Sequence, residues 1–522
     1  MLVDGDRKKI DQGPVTAHDQ QYLDLVTGMN QRWKGAPETV WVVGSAKQVE
    51  AVVQDAVNRG KRLTVRSGGH CFEDFVYNSD VQVVIDVSEL NAIYYDPAHN
   101  AIAVESGATV LEVYETLYKK WGVTVPAGFC HSVGVGGLVS GGGWGLLVRR
   151  DGLVVDHLYG VEVVVVDDSG KARTVVATRD EHDPNRELWW AHTGGGGGSF
   201  GVITRYLFRT PGAYGRDPRE LLPRPPAEVY LSAVAWPWAE VDRDEFFRLV
   251  HNYGAWHVAN RAPDNPNRAI SSLLGLNHVS NGFLGLVTQI DANLPDADAL
   301  LDDYLAFIGD GIRVAPGPLT TPMGEINAMP QFATRTRMPW LQATRFLGAT
   351  NVAINDPTMR AEFKSAYMVG EYPEAHLAAL HKHLTRTDIV NPNVSVGVTP
   401  YGGQAGAVAP SDTAAVHRGA AFKMLWSAYW NNPAEDEKYV AWARESYQET
   451  YQDTGGVPVP NDVTDGCYVN YADIDLDDPA LNTSGVSSQV LYHKENYPRL
   501  QQVKLRYDPT DFFRHGQSVR LP

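Results

Sequence analysis

Residues 65–70 read Val-Arg-Ser-Gly-Gly-His, and residues 128–137 read Gly-Phe-Cys-His-Ser-Val-Gly-Val-Gly-Gly. Two more glycine runs follow at 141–143 and 194–198. Glycine lets backbone N–H groups approach a ligand with no Cβ in the way, and successive N–H groups form an anion nest. One such loop is an ordinary turn. Four of them in the first two hundred residues predict a cradle for a large phosphorylated cofactor. None opens a helix as G-x-G-x-x-G with an acid ~20 residues on, and none has the Walker spacing. The cradle is neither Rossmann nor P-loop.

Working outward, residues 46–59 place Val49, Val52, Val53 and Val57 on one helical face, with Gly60 as a C-cap. Residues 109–121 form a second amphipathic helix, and short β-type runs lie at 63–66, 81–87, 101–105 and 161–167. Residues 210–226, rich in Pro, Gly and charge, read as a linker. Beyond it, strand-like runs (228–235, 271–275, 284–290, 393–399, 421–431) accompany helical stretches such as 296–308. Trp236, Trp238, Trp256, Trp340, Trp426 and Trp430 fall in this half. They have two open readings, a pocket wall or ordinary core.

The 522 residues are 43% apolar and 20% charged, an ordinary globular mix of two or three domains. A net charge of −17 disfavours nucleic acid. Cys71, Cys130 and Cys467 make no C-x-x-C pair, so neither a disulfide framework nor a metal site is expected. No apolar run approaches the ~20 residues of a membrane span. Residues 1–14 are too polar for an export signal, so a cytoplasmic protein with no membrane partner is expected, as monomer or homodimer.

The loops quoted above, together with Ile-Asp-Val-Ser-Glu-Leu (85–90), Val-Glu-Ser-Gly-Ala (104–108), Ser-Gly-Gly-Gly-Trp-Gly (140–145), Leu-Trp-Trp-Ala-His-Thr-Gly (188–194) and Tyr-Asp-Pro-Thr-Asp-Phe-Phe (507–513), resemble the vanillyl-alcohol oxidase / p-cresol methylhydroxylase flavoproteins. The likeness spans nearly the whole chain and is strongest to the berberine-bridge-enzyme-like branch, near its bacterial sugar and antibiotic oxidases. It implies an α+β fold: an FAD-binding domain (1–208), an antiparallel-sheet substrate domain covered by helices (209–476), and a last segment (477–522) returning to the first domain. It implies FAD bonded covalently to His70 through the 8α-methyl carbon and to Cys130 through C6. It also assigns Arg66, Ser67, Gly68, Gly69, Val133, Gly134, Gly136, Gly137, Gly141, Gly142, Gly143, Asp156, Gly201, Val202 and Asn470 to the cofactor's surroundings.

The same resemblance makes Tyr471 the base and Tyr367 a second active-site tyrosine, and it implies that valine at 133 leaves O2 a path to the flavin. Trp144 departs from the pattern, because its antibiotic-pathway relatives carry tyrosine there. An extended backbone around Tyr471 would share its face with Val469 and Asp473, opposite Asn470 and Ala472; Cys71 would likewise point away from His70. Free tyrosine titrates near 10, so a base at neutral pH needs a cation nearby, with Lys423 or Arg418 as sources. The expected activity is oxidation of an alcohol, hemiacetal or sugar carbon of a natural product, with O2 as acceptor and H2O2 as product. A lactone-forming oligosaccharide oxidase is the second reading, and a non-enzymatic flavin scaffold the third.

Overall fold

The structure, a computed structural model, describes residues 13–349 and 356–522; the reading of residues 1–14 falls mostly outside them. Strands β1 (Thr39–Val42), β2 (Leu63–Arg66) and β3 (Val83–Asp86) form a small parallel sheet in the order β1-β3-β2. Parallel strands need crossovers, and the helix Ala46–Asn58 lies between β1 and β2 in the chain. Ser45 starts that helix by accepting the Gln48 N–H, and Gly60 at φ +61° turns the chain out of it. Val49, Val52 and Val53 are buried, whereas Val57 is only half-buried. They pack on Val164 and Val166 of a second sheet, so the helix is clamped between the two.

That second sheet is antiparallel, with strands β4 (Ile93–Asp96), β5 (Ala101–Glu105), β6 (Leu158–Val166), β7 (Ala172–Thr178) and β8 (Val202–Phe208) in the order β4-β5-β8-β6-β7. The third has eight strands: β9 (Glu228–Pro237), β10 (Ile270–Asn277), β11 (Phe283–Asp291), β12 (Gly317–Pro318), β13 (Thr336–Pro339), β14 (Arg360–Met368), β15 (Val394–Pro400) and β16 (Phe422–Trp430). Their order is β12-β9-β11-β10-β15-β16-β14, with β13 also on β9. The architecture is α+β.

The period-2 alternation of β16 explains how the large sheet serves the site. Phe422, Met424, Trp426, Ala428 and Trp430 enter a core shared with the helices Arg243–Ala259, Ala297–Gly309, Glu374–Leu384 and Asp436–Thr450. Lys423, Leu425, Ser427 and Tyr429 take the opposite face, where β14 sets Tyr367 opposite Lys423 and Phe363 opposite Ser427. Trp236, Trp238, Trp256, Trp426 and Trp430 belong to the helix-side core, and Trp340 packs on Tyr114 and Tyr118, so these tryptophans are core rather than pocket wall. The helix Tyr497–Tyr507 runs back onto the first half, where Lys504 donates to Ser199 O (2.8 Å) and Arg499 pairs with Glu187 (2.7 Å). Among the described residues no helix is long and apolar enough to cross a membrane.

Candidate active site

A cavity of about 340 Å³ lies between the glycine loops and the inner face of the large sheet. Arg66, Ser67, Gly68, Gly69 and His70 wall one side; Cys130, Val133, Gly134, Gly136 and Gly137 wall another; Gly195–Gly198 and Gly201 close a third. The loops that carry His70 and Cys130 touch each other. A Cβ on Gly68 would collide with Gly134 N and Ser132 O, and one on Gly134 with Ser67 Oγ and Gly68 N. Ser67 donates to Ser106 O at 2.7 Å, which fixes the loop to the antiparallel sheet. An added Cβ at Gly137 would meet nothing within 4 Å. It would stand in the cavity itself, so this glycine leaves room that a ligand takes. The slot, lined by these glycines together with Arg66 and Arg514, leaves room for a large cofactor to approach the backbone.

His70 and Cys130 stand on this wall. The His70 Nε2 lies 2.9 Å from Ser132 Oγ. Burial and the neighbouring Arg66 push the imidazole down to about 4, so it is neutral at pH 7 and keeps the lone pair that a bond to carbon requires. Cys130 Sγ donates to Glu325 at 3.2 Å. Cys71 also reaches the wall, contrary to the extended-backbone expectation; burial pushes its thiol up to about 12, so it is no thiolate.

Tyr468, Val469, Asn470, Tyr471 and Ala472 all contribute to the cavity lining. The predicted alternation fails here because Tyr471 N–H bonds Tyr468 O at 2.8 Å, closing a turn. Asn470 donates to Leu138 O (2.9 Å) and packs so closely on Gly141 that a Cβ there would strike its amide. Gly141, Gly142 and Gly143 thus act behind the wall rather than on it. At φ +66°, Gly143 occupies the left-handed region, with a Cβ position only 2.7 Å from Val154. Val202 sits in β8 behind Gly201, and neither it nor Asp156 lines the cavity. Asp156 pairs instead with Arg418 through two bonds of 2.7 and 3.0 Å.

That ion pair decides between the two candidate cations, because Arg418 is committed to Asp156 and to the carbonyls of Ala405 and Ala415. Lys423 is not. Its ammonium is buried with no hydrogen-bond acceptor and lies among five rings: Trp144 (3.7 Å), Tyr468 (4.2 Å), Tyr471 (5.2 Å), Tyr367 (5.8 Å) and Tyr401 (5.9 Å). Desolvation holds it well below the usual lysine range. Tyr471 is pushed up by burial and by the charge of Glu325, whereas the Trp144 indole hydrogen bond pulls it down. The indole that departs from the family pattern is therefore a partner of Tyr471 as well as a lid on Lys423. Tyr367 lies off the cavity wall, stacked on His417 (4.3 Å) and edge-on to Tyr401 (5.3 Å). Glu325, Trp144 and Leu425 complete the wall near Cys130. Nothing in the sequence around Glu325 marks it, since it sits in an irregular loop.

Comparison with known proteins agrees with this geometry. Residues 37–175 match the FAD binding domain family, and residues 467–520 match the family described as berberine and berberine like. The chain is 48% identical over 505 residues to aclacinomycin-N/aclacinomycin-A oxidase of Streptomyces galilaeus, covering 97% of this chain and 89% of that protein. Among solved structures, CrmK, a flavoenzyme of shunt product recycling in caerulomycin biosynthesis, superposes with a TM-score of 0.93 at 45% identity over 98% of this chain and 99% of that one. The glycopeptide hexose oxidase DBV29, solved with teicoplanin, gives 0.90 at 42% identity over 98% and 99%. The glycine cradle, the buried tyrosine–lysine pair and these likenesses coincide over nearly the whole length: the chain belongs to the berberine and berberine-like family and is an FAD-linked oxidoreductase.

Proposed function

We propose that the protein is an oxidase acting on an alcohol, hemiacetal or sugar carbon of a glycosylated natural product, holding FAD through bonds to both His70 and Cys130. The observation that carries this reading is Tyr471 on the wall of the same cavity as His70 and Cys130, with Lys423 Nζ 5.2 Å from the centre of its ring. FAD held by His70, Cys130 and the glycine loops would supply the hydride acceptor and the route of two electrons to O2, with H2O2 as product. The chain's part is to move the proton. Tyr471 Oη accepts the substrate's hydroxyl proton as the hydride leaves its carbon, and Lys423 in its protonated form stabilises the phenolate that this requires. Trp144 N–H holds that oxygen in place and keeps water from it. Val133 leaves a path on the Cys130 side for O2.

The aclacinomycin oxidase and glycopeptide hexose oxidase likenesses favour a glycosylated natural product over a free oligosaccharide. A peroxide-release screen over glycosylated polyketides, glycopeptides, and mono- and oligosaccharides separates the two. Turnover of the glycosides supports the proposal, and turnover of free oligosaccharides alone defeats it. The division into an FAD-binding part, a sheet part over the substrate, and a returning C-terminal segment is the organisation proposed with it.

A further inference from the structure

Among the described residues, Glu325 is the one acid lining the cavity. Its carboxylate is held from two sides. Oε1 accepts from the Tyr429 hydroxyl at 2.6 Å, and Oε2 accepts from Cys130 Sγ at 3.2 Å. Tyr429 is fully buried on the inner face of β16, edge-on to Phe363 at 5.5 Å, so the clamp is rigid. A carboxylate in a mostly apolar wall is costly to keep. It also opposes the alcohol chemistry, because its charge raises the Tyr471 hydroxyl. Activation of Tyr471 therefore gives no reason for it. Cys130 does: a thiol becomes a nucleophile only as the thiolate, and apolar surroundings disfavour that form. The contrast with His70 is instructive, since a neutral imidazole already has its lone pair and needs no base.

We propose that Glu325 is the general base of cofactor attachment at Cys130. The assignment rests on the reading that Cys130 is the second attachment point. Cys130 Sγ gives its proton to Glu325 Oε2 and forms a bond to flavin C6. The hydrogen on C6 leaves as a proton, and the electron pair stays on the flavin until O2 takes it. Overall, thiol, oxidised flavin and O2 give the C6 thioether, oxidised flavin and H2O2. Two hydrogens are lost, one from sulfur and one from C6, and both end in the peroxide. Once the S–H is gone, Oε2 loses that donor and is freed toward the cavity.

The test reads the attachment, not turnover. Wild-type and Glu325→Gln holoproteins are purified at pH 7, denatured, digested, and the His70 and Cys130 peptides weighed with and without flavin. Wild type carries one flavin on both residues. Glu325→Gln carries it on His70, with the Cys130 bond forming ~10²-fold more slowly, the usual worth of a general base. Incubation at pH 9, where solvent ionises the thiol, restores the Cys130 bond. Tyr429→Phe, which leaves the carboxylate but removes its anchor, gives a smaller slowing and serves if the first variant does not fold. Wild-type extents of the Cys130 bond in both variants at pH 7 would overturn the assignment. So would its loss in Glu325→Gln at every pH, which would mark a packing role. A wild-type protein with no flavin on Cys130 would instead defeat the two-tether reading.

Discussion

Replacing Lys423 by Met keeps the side-chain volume and removes the basic group that, among the described residues, lies over the Tyr471 ring. The charge lies 5.2 Å from the Tyr471 ring. When Lys423 is protonated, unit charges ~5 Å apart at an effective dielectric of ~20 attract by about 3 kcal/mol, or about two pKa units for the phenol. The acid limb of the kcat profile should therefore move up by about two pH units. Turnover at pH 7 falls ~10²-fold and recovers as the pH approaches 10. The same substitution should stabilise the fold, because a buried amino group without a hydrogen-bond acceptor is replaced by an apolar group. Stopped-flow reduction of the bound flavin across pH, paired with thermal unfolding, reads both effects. A loss of the same size at every pH, or a lower Tm, would refute the electrostatic role.

Three other outcomes follow from the geometry. Tyr471→Phe should retain bound flavin while slowing its reduction by ~10²–10⁴-fold, and unchanged reduction would place the base elsewhere. Val133→Leu should leave anaerobic reduction intact and slow reoxidation by O2 at least ~10-fold; equal reoxidation rates would remove valine from the oxygen path. Glu73 is buried beside Glu362 and Asp473, and desolvation pushes its carboxyl up to about 8. Between the ordinary carboxyl range and pH 8 the folded state thus binds more protons than the unfolded one, and stability falls as the pH rises. Glu73→Gln should flatten that slope in denaturant titrations at pH 5 and 8, and an unchanged slope would exclude Glu73 as its source.

How much of this was legible in the sequence differs by physical cause. The helix Ala46–Asn58 and the strand Leu63–Arg66 are set by local periodicity and capping, and they stand where those signals predict. The run around Tyr471 is not a local matter. Its backbone is turned by the Tyr468 carbonyl and by Asn470 packing on Gly141, so strand alternation misplaced it. Charge pairing across the fold was equally hidden: only the structure shows Asp156 consuming Arg418 and leaving Lys423 for Tyr471. Tyr367 pairs opposite Lys423 across β14 and β16, yet its ring turns to His417 and away from the cavity wall. Glu325 had no pattern to betray it, because its meaning comes entirely from Cys130 and Tyr429, residues distant in sequence.

The central claim is that one flavin is fixed in the slot at both His70 and Cys130. Acid precipitation of the purified protein, followed by intact-mass measurement of the wild type and of His70→Ala, Cys130→Ala and the double variant, tests it directly. The account predicts one FAD per chain after denaturation in the wild type and in each single variant, and none in the double variant. A wild-type pellet that loses its flavin to the supernatant would contradict it.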